Sequence, residues 1–241
     1  MYGTVYGVGV GPGDPDLLTL KAAKLLQEAE RIYAARSTRN TYSVAHDIVA
    51  PHLREGVEIE TLAFPMTRDR QTLETAWREN AERVITDSRA GRTVCFLTLG
   101  DPMTYSTFGY LMRTVRALDA QVPFAVVPGV TSFAAAAAES MTVLAEREET
   151  LAVVSGADGG ERLEAAAAAA DTVVVLKAYK RFDAIRETLA RLGWERSSVL
   201  LSNCTMPARP DGAGSCEIRD LASVTEQPGY FTLVLARRPR G

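Results

Sequence analysis

Three times the chain runs an apolar, β-branched stretch into a break of glycine, proline and aspartate, and then into a helical pattern. Val5–Val10 breaks at Gly11-Pro12-Gly13-Asp14, Thr93–Leu99 at Gly100-Asp101-Pro102, and Val122–Val127 at Pro128-Gly129-Val130-Thr131-Ser132. Strands that are apolar throughout, and alternate with helices, belong to a parallel sheet covered on both faces. In such a sheet every loop that follows a strand leaves the same carboxyl edge, where open α/β sheets bind ligands. Glycine lets backbone approach a ligand closely and proline stiffens the loop beforehand. The same dipeptides also make ordinary turns. It is the recurrence of three such breaks on one rim that points to a ligand.

The rest of the chain continues the alternation. Pro15 sits at a first-turn position behind Asp14, and Leu17, Leu18, Ala22, Leu25, Leu26 and Ala29 mark one helical face. Arg31–Ala35 and Val57–Leu62 read as strands, and Arg70–Ala90 as a long helix with Leu73, Trp77, Ala81, Val84 and Ile85 on one side. An alanine-rich helix, Thr131–Ser140, precedes the charged segment Met141–Glu149, which lacks a core face and reads as a linker. A second αβ set follows: strand Leu151–Ser155, helix Leu163–Ala170, strand Thr172–Lys177, helix Arg181–Leu192, strand Ser198–Cys204 and a last strand, Tyr230–Ala236. The expectation is two α/β domains, residues 1–141 and 142–241, with a ligand cleft between them.

Composition narrows the partners. A net charge of −3 over 241 residues provides no basic field for nucleic acid and no polybasic membrane patch. With 46% apolar and 24% charged residues, no signal-peptide pattern and no apolar run of spanning length, a soluble cytoplasmic protein is expected. Cys95, Cys204 and Cys216 form no C-x-x-C; Cys95 and Cys204 lie in apolar or small-residue runs and read as packed side chains. His46 and His52 have no ligand-like partner nearby, so no metal site is expected.

The first break is wrong for phosphate. From Gly9 the spacing runs Gly9-Val10-Gly11-Pro12-Gly13-Asp14, which lacks the third glycine of G-x-G-x-x-G, and no G-x-x-x-x-G-K-[ST] occurs. Asp14 also stands where a phosphate would meet a helix N-terminus; a carboxylate there caps the helix and repels a second anion. The ligand is therefore not a bare phosphate.

With Leu17-Leu18-Thr19-Leu20-Lys21-Ala22, the three breaks resemble the tetrapyrrole (corrin/porphyrin) methyltransferase family over essentially the whole chain. The resemblance implies a two-domain α/β fold and S-adenosylmethionine as methyl donor, a ligand with a sulfonium, an amino acid tail and an adenine but no phosphate. Phe64-Pro65-Met66 and the run Gly100-Asp101-Pro102-Met103-Thr104-Tyr105-Ser106-Thr107-Phe108 are similar to the subgroup that methylates the C20 bridging carbon of precorrin-2 or cobalt-factor II in cobalamin synthesis. Methylation of another corrin carbon or of uroporphyrinogen III stays open, as does a non-catalytic S-adenosylmethionine-binding module.

The resemblance further implies that Gly100, Asp101, Thr104, Thr131 and Ser132 contact the cofactor, that Pro12 lines the first loop, and that Lys177, Ala178 and Asn203 frame the adenine. Asp101 also reads as a plain helix cap, and Lys177 as a solvated strand end. A polycarboxylate macrocycle needs local cations, so Arg36, Arg39, Arg68 and Arg70 are candidates alongside Lys180-Arg181, although each arginine also reads as ordinary surface. Tyr42, Tyr105 and Phe108 are candidates for the macrocycle face, or for core. Direct in-line methyl transfer needs alignment and water exclusion rather than a covalent intermediate, and no Ser-His-Asp or Cys-His set is evident. A homodimer is the family expectation.

Overall fold

The computed structural model describes residues 1–37, 44–159, 161–206 and 215–239. The chain forms two compact units, Met1–Thr131 and Ser132–Gly241.

The first unit is built on five strands: β1 (Val5–Gly9), β2 (Arg31–Ser37), β3 (Ile59–Phe64), β4 (Val94–Thr98) and β5 (Phe124–Val127). They lie in the order β3-β2-β4-β1-β5, and every pairing is parallel. All five residues of β4 are buried, as a strand covered on both faces requires. On one face Val8, Leu97 and Ile32 pack with Leu26 of α1 (Leu20–Glu28) and Ile48 of α2 (Val44–Val49). On the other, Val5 and Phe96 pack with Val84 of α3 (Arg70–Arg89) and with Phe108 and Leu111 of α4 (Phe108–Leu118). Phe108 lies 6.1 Å from both Phe96 and Phe124, ring centre to ring centre. A Cβ on Gly7 would come within 2.5 Å of the Phe108 ring, so β1 carries glycine there to seat it.

Two local outcomes differ from the sequence reading. The single helix expected behind Asp14 is split in two. Asp14 Oδ1 accepts from the Asp16 amide at 2.8 Å and caps a short 3-10 turn, Pro15–Leu17. The chain then extends through Leu18 and Thr19, and Thr19 Oγ1 caps α1 by accepting from the Ala22 amide at 3.2 Å. Ending the turn early lets Leu18 join the core. The helix expected directly after Pro102 begins only at Phe108.

The second unit opens with α5 (Ser132–Glu139), whose buried Ala136 packs on Val174, Leu201, Leu233 and Leu235. This alanine face is the reason the units divide ahead of the Met141–Glu149 segment. Its sheet contains β6 (Leu151–Ser155), β7 (Thr172–Leu176), β8 (Ser198–Ser202), β9 (Glu217–Asp220) and β10 (Thr232–Arg237), in the order β6-β7-β10-β8-β9. Only β6 and β7 are parallel; β10 runs antiparallel between β7 and β8, and β9 antiparallel beside β8. The helices α6 (Glu161–Ala169) and α7 (Phe182–Arg191) bury Leu163, Phe182, Ile185 and Leu189 against it. An apolar run marks a strand but carries no direction, so the return of β10 through the middle of this sheet was not readable from the pattern.

Candidate functional site

Because β4, β1 and β5 are adjacent and parallel, the three glycine-bearing loops leave the first sheet side by side. They are joined by their own backbones. The Gly100 amide donates to the Gly11 carbonyl at 2.7 Å, and the Gly11 amide donates to the Gly100 carbonyl at 3.3 Å. Both residues occupy the left-handed region, with φ of +80° at Gly11 and +73° at Gly100, which only glycine enters without strain. The Asp101 carboxylate ties in the third loop. Its Oδ2 accepts from the Gly129 amide at 3.1 Å, while Oδ1 accepts from the Met103 amide at 2.8 Å and Thr104 Oγ1 at 3.4 Å.

This changes what the glycines are for. A Cβ on Gly129 would stand 2.2 Å from the Gly100 carbonyl oxygen, and one on Gly9 would stand 2.5 Å from the Gly129 nitrogen. These glycines let the loops approach each other, and the bonds among the loops tie the rim together. Pro12 is buried in the first loop. Asp101 caps no helix, since α4 starts at Phe108; it nucleates the turn in which the Thr104 amide donates to the Asp101 carbonyl at 3.4 Å. Thr131 follows β5 and Ser132 opens α5, both partly exposed.

Three of the substrate candidates, Arg36, Arg68 and Tyr105, lie at or just beyond the carboxyl ends of strands of the first sheet. Arg36 is exposed near the end of β2, and Arg68 is exposed just beyond β3. Tyr105, in the loop after β4, is 52% exposed at φ 50°. An aromatic residue held in the left-handed region costs on the order of 1–3 kcal/mol, and such strain collects at functional sites. Arg70 instead pairs with Glu74 at 2.7 Å, and Phe108 is core, enclosed by Phe96 and Phe124. Arg39 and Tyr42 lie outside the described residues.

In the second unit, antiparallel pairing of both β7 and β8 to β10 brings their carboxyl ends to one edge. There the Ala178 amide donates to the Thr232 carbonyl at 3.0 Å and the Asn203 amide to the Phe231 carbonyl at 2.9 Å. Lys177 and Asn203 sit at φ 57° and 51°. Desolvation first, and the charge of Lys180 second, lower the pKa of the Lys177 ammonium below its ordinary value. Sequence reasoning missed three residues here. Tyr179 and Tyr230 stand ring to ring at 4.9 Å, a meeting that depends on the unforeseen course of β10. Thr205, β-branched yet at φ 61°, has a buried hydroxyl with no hydrogen-bond partner among the described residues. No sequence signal marks a left-handed threonine.

Among the described residues no cluster of His, Cys, Asp or Glu could hold a metal ion, and no helix is long and apolar enough to cross a membrane. A rim of mutually bonded loops with one fixed carboxylate, and arginines farther along the same edge, stands at the carboxyl ends of parallel strands, the place where α/β proteins with open sheets bind ligands. A sequence profile of the Tetrapyrrole (Corrin/Porphyrin) Methylases matches residues 4–209. The chain belongs to this family. It is 33% identical over 239 residues to a cobalt-precorrin-2 C(20)-methyltransferase of Salmonella typhimurium strain LT2, a match covering 99% of this chain and 98% of that one. A precorrin-2 C(20)-methyltransferase of a Sinorhizobium species is 31% identical over 244 residues, covering 97% and 94%. Among solved structures, a uroporphyrin-III C-methyl transferase from Thermus thermophilus, complexed with S-adenyl homocysteine, matches with a TM-score of 0.66 at 28% identity, covering 98% of this chain and 97% of that one.

The loop joint makes a stability prediction. Gly129→Ala forces a methyl group into the Gly100 carbonyl and should cost about 3 kcal/mol or more in urea denaturation, the upper end for overpacking. A Cβ on Gly109 would meet only Arg113 Nη1, at 3.4 Å, so Gly109→Ala should be nearly neutral. Equal stability of the two variants would refute the joint.

Proposed function

We propose that this chain transfers the methyl group of S-adenosylmethionine to C20 of precorrin-2 or cobalt-factor II in cobalamin synthesis. The observation that carries this reading is end-to-end similarity to a cobalt-precorrin-2 C(20)-methyltransferase, in a chain whose ligand loops are unsuited to phosphate.

The reaction moves a methyl cation equivalent from sulfur to an electron-rich ring carbon. S-adenosylhomocysteine leaves, and a proton is lost from C20. The donor is already activated, so the protein supplies alignment and exclusion of water. Gly100, Asp101, Thr104, Thr131 and Ser132 hold the donor, and Pro12 lines the first loop. Three of roughly four acceptor positions on the Asp101 carboxylate are filled from within the rim, which leaves one for an ammonium or hydroxyl of the donor. Lys177, Ala178 and Asn203 frame the adenine. The amides of Ala178 and Asn203 already serve the sheet, so recognition there falls to carbonyl oxygens and side chains. Arg36, Arg39 and Arg68 pair with the macrocycle's carboxylates, with Tyr105 against its face. The same proposal includes a homodimer, on the family resemblance alone, and a cytoplasmic location.

The test is incubation with carbon-labelled S-adenosylmethionine and either tetrapyrrole, with carbon NMR of the product. One labelled methyl at C20 is expected. Label at another carbon would overturn the position, and binding of the donor without any transfer would favour a non-catalytic module. Asp101→Ala should weaken S-adenosylhomocysteine by about tenfold or more in calorimetry, the size expected for a hydrogen bond to a charged group. Unchanged affinity would remove Asp101 from the donor site.

A further inference from the structure

The β8–β9 ladder ends at the pair Ser202 and Glu217. Cys204 follows two residues beyond that end and Cys216 lies one residue before β9, so the ladder delivers the two thiols to one place. Their sulfurs stand 3.8 Å apart. Both are free; Cys204 is buried and Cys216 exposed. Cys204 lies between two residues held in the left-handed region, Asn203 at φ 51° and Thr205 at φ 61°, which fix its backbone. Cys95, the remaining cysteine, is buried in β4.

We propose that Cys204 and Cys216 are an oxidisable thiol pair, a site that takes up one internal disulfide from a small-molecule disulfide. The exposed Cys216 thiolate attacks the oxidant RSSR, forming a mixed disulfide and releasing one RS⁻. Cys204 then gives up its proton and attacks the Cys216 sulfur, expelling the second RS⁻. In balance, two protein thiols and one RSSR become one protein disulfide and two RSH. The sulfurs must close from 3.8 Å to about 2.05 Å, a distance within reach of side-chain rotation. The order of attack follows from the environments. Burial foremost, with the neighbouring Cys216 next, pushes the Cys204 thiol up to about 12, so Cys204 keeps its proton while the exposed thiol reacts first.

The experiment treats the folded, full chain with oxidised glutathione, quenches with an alkylating reagent, and digests after unfolding with a protease that cuts before Asp211, between the two cysteines. The expected product has lost two hydrogens, carries Cys204 and Cys216 on joined peptides, and retains Cys95 as a thiol. Cys204→Ser should instead accumulate one glutathione on Cys216, and Cys216→Ser should react at least about tenfold more slowly than wild type. Three free thiols, a stable glutathione on wild-type Cys216, or a Cys216–Cys216 link between two chains would each overturn the proposal.

Discussion

The bond from the Gly129 amide to the Asp101 carboxylate, beside the paired exchange between Gly11 and Gly100, is the contact on which the candidate site depends. A parallel sheet sets its outgoing loops side by side but does not fix their mutual geometry. Here a side chain from the β4 loop accepts a backbone proton from the β5 loop, while the β4 and β1 loops exchange backbone bonds directly. The arrangement works only because Gly9 and Gly129 have no Cβ to hold the backbones apart. Asp101 is therefore a structural clamp, and the role proposed for it toward the donor would draw on what remains of its acceptor capacity.

The second unit solves a similar problem by other means. Its edge residues Lys177, Asn203 and Thr205 are held at positive φ without being glycine. Each such residue costs free energy that its surroundings must offset. The offset at Asn203 is visible in its amide bond to Phe231, beside the Ser202–Thr232 hydroxyl contact of 2.7 Å. The same stretch holds Cys204 against Cys216, so the thiol pair sits in some of the most constrained backbone of the unit.

Much of the first unit was legible from sequence because β-branched apolar runs broken by Gly-Asp-Pro or Pro-Gly have few folding solutions. The runs at Val5, Val94 and Phe124 became adjacent parallel strands, whereas Asp14, expected to cap the helix, caps the short 3-10 turn at Pro15 and leaves α1 to Thr19. The packing of Gly9 and Gly129 against neighbouring loops is not legible, because spacing says that backbone comes close but not to what. The direction of β10 and the meetings of Tyr179 with Tyr230 and Cys204 with Cys216 were hidden for another reason. They arise from strand pairings distant in sequence, which leave no local period. The places of Lys177 and Asn203 at strand ends are legible in the sequence, but their left-handed backbone is not, since neither residue type demands it.

The rim of the first unit is the proposed donor-binding surface. Amide hydrogen exchange of the intact chain, with and without S-adenosylhomocysteine, tests it most directly. Slowed exchange is expected, concentrated in residues 99–105 and 128–131, with α3 unchanged. Unaltered exchange in both loops at saturating ligand, with protection elsewhere, would contradict it.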